Sequence, residues 1–132
     1  MSNDWDANIK LLYPTDSGTF FTIDDVAQGA TFDVVANVEI GENLNEFIDR
    51  FDLRIGIVNL TRAASVVTVA DGDVLQPDKG PRLEERRVTV PSGWQNQADP
   101  GDVLQAVASY KVTAGVNIDY STAESVTFVV SP

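Results

Sequence analysis

A chain of 132 residues with 43% hydrophobic and 22% charged residues has the make-up of one folded domain, not of a disordered segment. Twenty acidic against nine basic residues give a formal net charge of −11, which repels nucleic-acid phosphate and anionic lipid surfaces. There is no Cys and no His. That removes disulfides and Ser-His-Asp or Cys-His catalysis, argues against zinc, copper, haem and iron–sulfur centres, and leaves only hard-oxygen cations such as calcium.

Residues 1–8 are polar and read as an N-terminal arm, with Trp5 as an anchor for a neighbouring subunit; residues 9–132 read as one domain. Met1 to Asp6 has neither a basic nor an apolar leader segment, and no apolar run approaches the ~20 residues of a membrane-spanning helix. Neither feature assigns a compartment. Ile9 to Tyr13 and Thr19 to Ile23 read as a first strand split at Pro14 and the Asp16-Ser17-Gly18 turn, with Asp24 to Gly29 as a connection.

From Ala30 to Ile40 apolar residues alternate with Thr31, Asp33, Asn37 and Glu39, the period of two of a half-buried strand whose polar face is solvated. Asn43-x-x-Glu46 has the form of a capping box and predicts a helical turn near 43–48, followed by a strand from Phe51 to Leu60. Asn59-Leu60-Thr61 matches a glycosylation sequon, a short motif of high chance frequency. Ser65 to Ala70 is rich in β-branched residues and runs into Asp71-Gly72-Asp73, a turn by composition. Together with Asp78 these residues have the Asp-x-Asp spacing of a hard-cation site, and calcium is the one metal they suggest. Asp24-Asp25 and Asp99 with Asp102 would complete an inter-loop calcium site if the loops converged. Arg82 to Val90 reads as a charged edge strand; its neighbours Glu84 and Glu85 face opposite sides and so do not form a catalytic pair.

Pro91 to Asp102 is irregular and holds Trp94 among Gly93, Gln95, Asn96 and Gln97. Such a Trp either stacks on a sugar ring or anchors a protein contact, or folds back to cap the core. From Leu104 to Tyr120 every even position is apolar. This is one long strand, or a hairpin whose three-residue loop Thr113-Ala114-Gly115 pairs Val112 with Val116 and Tyr110 with Ile118. Ser121 to Glu124 turns into a last strand, Ser125 to Val130.

Seven to nine short strands with almost no helix predict an all-β chain folded as an antiparallel β-sandwich, with a small β-barrel as the second architecture. Asp99-Pro100-Gly101-Asp102 leading into Val103 to Val112, and the closing Ser125-Val126-Thr127-Phe128-Val129-Val130, resemble immunoglobulin-like and fibronectin-type-III-like modules. That resemblance implies the sandwich and carries over no functional residue. The expected function is a non-enzymatic structural or protein-interaction module without a cofactor, for example in a surface layer, appendage or virion. It would self-associate or bind protein rather than nucleic acid, without membrane insertion. The alternative is a carbohydrate- or calcium-binding module using Trp94 and the Asp-rich loops.

Overall fold

The computed structural model describes residues 5–132. Nine strands form two sheets: β1 (Ala7–Thr15), β2 (Asp25–Ala27), β3 (Phe32–Ile40), β4 (Arg50–Asn59), β5 (Ala64–Val74), β6 (Arg82–Val90), β7 (Val103–Ala114), β8 (Asn117–Glu124) and β9 (Phe128–Ser131). A single helical turn, α1 (Glu42–Glu46), links β3 to β4, and a 3-10 turn occupies Gln95–Gln97. The smaller sheet has the order β1-β3-β6; the larger runs β2-β9-β7-β4-β5, with β8 also paired to β7. The molecule is a β-sandwich. Among the described residues all pairings of these strands are antiparallel except β2 with β9.

Alternation explains the core. The even residues of β3 and β7 and the odd residues of β4 point inward and are buried, as their period of two predicts. Phe32 meets Phe128 and Trp94 edge-on at 5.6 and 6.2 Å at one end of the interior, and Phe51 lies 5.9 Å from Tyr110 toward the other. β6 contributes Val88 and Val90 to this core, then Arg82, Glu84 and Arg86, which pair with one another beside the Tyr110 ring's neighbour Phe51.

Several local expectations are corrected. β1 begins at Ala7, inside the stretch expected as an arm, and runs unbroken through Pro14. An edge strand tolerates a residue that cannot donate. A bulge between Ile9 and Leu11 lets Ala7 and Leu12 both face inward. Thr19 to Ile23 is not a strand; only Thr22 bridges to Thr15, while Asp25 to Ala27, expected as connection, is β2. Asp71-Gly72-Asp73 does not turn. It extends β5 to Val74, opposite Leu53, Asp52 and Phe51. The last strand starts at Phe128, not Ser125.

The largest correction is the β7–β8 hairpin. Ala114 pairs with Asn117 and Lys111 with Tyr120, so the loop is the two residues Gly115-Val116. Gly115 has φ +63° and Val116 is not left-handed, the pattern of a turn whose first central residue must be Gly. One residue fewer in the loop inverts the phase of β8. Ile118 and Tyr120 therefore face outward, while Asp119 and Ser121 face inward to the edge of β1. The Asp119 carboxylate accepts the Ala7 amide at 2.7 Å and the Ser121 hydroxyl accepts that of Ile9 at 3.1 Å. These side chains close one seam between the sheets. Between β8 and β9, buried Ser125 accepts from the Ala106 amide and restores the phase, so that Phe128 lies opposite Leu104 in the core.

Candidate functional site

Among the described residues, exposed aromatic and charged groups gather on two surfaces besides the Phe20–Phe21 turn. The first is one end of the sandwich. Asp49, just after α1, gathers it: its amide donates to Thr113 O at 2.8 Å, its carboxylate accepts the Gly115 amide at 2.7 Å, and its carbonyl accepts the Leu75 amide. Gly41 donates to Asp6 O, which brings the N-terminal segment to the same end. There Trp5, 40% exposed, stacks parallel on Phe47, 57% exposed, with ring centroids 6.2 Å apart. Val116 at the hairpin tip is 96% exposed, and Ile118 and Val74, at the two ends of the register row nearest that tip, are exposed as well.

The second surface is the outer face of the larger sheet, where strand register sets side chains in rows. Gly72, Asp52, Lys111 and Tyr120 form one row across β5, β4, β7 and β8; Ala70, Arg54, Ser109 and Thr122 form the next. Two adjoining open depressions of about 590 and 610 Å³ lie over these rows and share Arg54 and Ser109. Arg50 grips Asp52 with two hydrogen bonds of 2.8 and 3.1 Å, and Lys111 stands 5.9 Å over the Tyr120 ring. A Cβ at Gly72 would be crowded in this row, 2.8 Å from the Asp52 carboxylate, which would have to swing aside, and 3.2 Å from the Phe51 carbonyl. The sequence reading missed this face. The Gly-X form of the hairpin turn was the signal that would have turned Tyr120 outward.

The residues singled out from sequence fare differently. Trp94 is not a loop anchor. It is 4% exposed, its indole N–H donates to the Ala30 carbonyl at 2.8 Å, and it caps the core against Phe32. Asp71 and Asp73 lie in a strand and Asp78 in the loop beyond it. The Asp73 and Asp78 carboxylates accept the amides of their own successors, Val74 and Lys79. Among the described residues no three His, Cys, Asp or Glu side chains converge as a metal site. Asp102 is already occupied internally. The Asp99 amide, then the Asn59 side chain, and also Arg62 hold its carboxyl below the usual range against the opposing effect of burial. Asn59 is fully buried and its amide donates to Asp102 and Gln97, so the sequon is inaccessible in the folded chain.

Asp33, expected to be solvated, is instead 2% exposed. It accepts the Gly18 amide at 2.9 Å and Arg87 at 2.8 Å, and Arg87 in turn lies 4.4 Å under the exposed ring of Phe20. Burial pushes the Asp33 carboxyl up, but Gly18, Arg87 and Thr89 together outweigh it and hold the group below its ordinary value. Glu84 points inward to Arg82 and Arg86 while Glu85 points outward, as the strand alternation required. Burial pushes the Tyr110 hydroxyl well above its ordinary value, so it stays protonated.

No protein-family profile matches the chain. No curated protein sequence matches it. Among solved structures, a bacterial adhesin from Mobiluncus mulieris superposes with a TM-score of 0.52 at 8% identity, covering 96% of this chain and 57% of that one. A Bacteroides fragilis protein described as a beta-galactosidase gives 0.46 at 17% identity, over 93% of this chain and 19% of that one. Bacteroides uniformis beta-glucuronidase 2 gives 0.48 at 11% identity, over 90% and 14%. The chain thus spans less than two thirds of the length of each. The adhesin shows the sandwich fold and nothing finer.

Proposed function

We propose that the chain is a non-enzymatic protein-interaction module, a building block of a larger assembly, that docks through the apolar end of its sandwich. The observation that carries this reading is the exposed Trp5–Phe47 stack, at the end of the sandwich where Asp49 also holds the β7–β8 hairpin. Large aromatic surface left in water is costly and is the usual anchor of a protein interface. The end is built rather than incidental: Asp49 and Gly41 hold four separate segments there by backbone bonds.

Light scattering of the full chain over a range of concentration and salt tests the reading. Mass should rise with concentration, more steeply as salt screens the net charge of −11, and the double variant Trp5→Ser/Phe47→Ser should stay smaller. A strictly monomeric chain at tens of micromolar in every salt would remove self-assembly as its function.

A further inference from the structure

We propose that the outer face of the larger sheet binds an acidic oligosaccharide, with Arg54 receiving a carboxylate and Tyr120 the face of a neighbouring sugar ring. This goes beyond the protein-interaction reading and uses a different surface.

One unpaired cation points first to an anion. Arg50, Arg54 and Lys111 line this face with Asp52, Asp71 and Glu124, so that in a strongly acidic chain the face is locally balanced. Arg50 takes both oxygens of Asp52, so Arg54, two residues along the same face, is left without an ion pair among the described residues. Its cross-strand neighbours Ala70 and Ser109 are short, which leaves the planar guanidinium open to a bidentate carboxylate.

The rest of the surface selects the kind of anion. Hydroxyls flank Arg54: Ser109 beside it on β7, Thr122 beyond that on β8, and Thr68 on β5. Tyr120 is 65% exposed at the margin and offers a flat apolar ring next to Lys111. An aromatic face, several hydroxyls and one fork of donors suit a ring that presents C–H on one side and hydroxyl and carboxylate groups at its rim. Arg54 and Tyr120 are two strands and one row apart, roughly 12 Å at the usual strand spacing and rise, which asks for linked rings rather than a monosaccharide. An acidic peptide is the poorer fit, because the face of a sheet offers no backbone hydrogen bonds and peptides gain theirs at an edge.

The test is a nuclear magnetic resonance titration of the full chain with uronate oligosaccharides (galacturonate, glucuronate and mannuronate tetramers). Neutral hexose tetramers and a tetraglutamate peptide run beside them. At least one uronate series should shift the amides of residues 54, 109 and 120 at millimolar concentration, while the neutral sugars do not. Arg54→Ala should weaken binding about tenfold and Arg54→Lys recover only part, as the loss of a charge-assisted fork implies. Tyr120→Ala should weaken it several-fold, and both side chains are exposed, so melting curves should confirm an intact fold. Trp5→Ser/Phe47→Ser should leave it unchanged, which separates this site from the docking end. Three results would overturn the assignment: no shift with any uronate tetramer, affinity indifferent to Arg54 and Tyr120, or equal affinity for tetraglutamate.

Discussion

Single residues in this fold divide sharply between core fittings and surface groups, and the two tryptophans are the clearest pair. Trp94 closes one end of the interior and satisfies its indole on Ala30. Trp94→Ala should cost ~3–5 kcal/mol in urea unfolding, the range for a large buried aromatic. Trp94→Phe should cost less, but still about 1 kcal/mol or more, because the Ala30 carbonyl loses its donor. Acrylamide should quench the Trp94→Phe variant readily, through Trp5, and the Trp5→Phe variant poorly. Asp33 makes a second residue-scale prediction. Its folded carboxyl is held below its unfolded value near 3.9, so its contribution is complete above about pH 4 and is lost as pH falls through the lowered folded value. Asp33→Asn should therefore be less stable than the parent at neutral pH, by ~1.5–3 kcal/mol for a lost charged hydrogen bond, and the gap should close in acid. An equal gap at pH 7 and pH 2.5 would refute the pairing as its cause.

Among the elements, β8 departs furthest from what its residues suggest. β3, β4 and β7 were legible because each packs an apolar stripe on a core, and a period of two then leaves no choice of face. The same rule misled in β8. Ile118 and Tyr120 continue the apolar series of β7, but a loop of two residues rather than three places that series outside. Asp71 to Asp73 misled for a related reason: Asp-Gly favours a turn locally, and ten paired residues on β4 override it. β8's inward side does a different task, supplying Asp119 and Ser121 to the edge amides of Ala7 and Ile9 on β1. Asp119→Ala should cost ~1–2 kcal/mol and speed hydrogen exchange at Ala7 while amides of β3 stay protected. Unchanged exchange at Ala7 would mean that the edge is held by packing alone.

At the scale of the whole molecule, charge sets the terms of stability and of association. Nine basic residues cannot pair twenty acidic ones, so self-repulsion opposes the folded state and should weaken as ions screen it. The melting temperature should rise between about 0.01 and 0.15 M sodium chloride, where the Debye length falls from about 30 to 8 Å. A flat or falling curve would mean that the ion pairs, not the net charge, dominate. The all-β sandwich class was readable from periodicity, though β2 was not, and neither was the docking end: it is assembled by Asp49 and Gly41 from segments remote in sequence, which no local pattern records. The phase inversion at Gly115 and its reversal near Ser125 also bracket a stretch whose outward side chains owe nothing to the interior. Substitutions at positions 118, 120, 122 and 124 can accumulate while the framework holds. Descendants of this chain could then diverge in what they recognise before they diverge in shape.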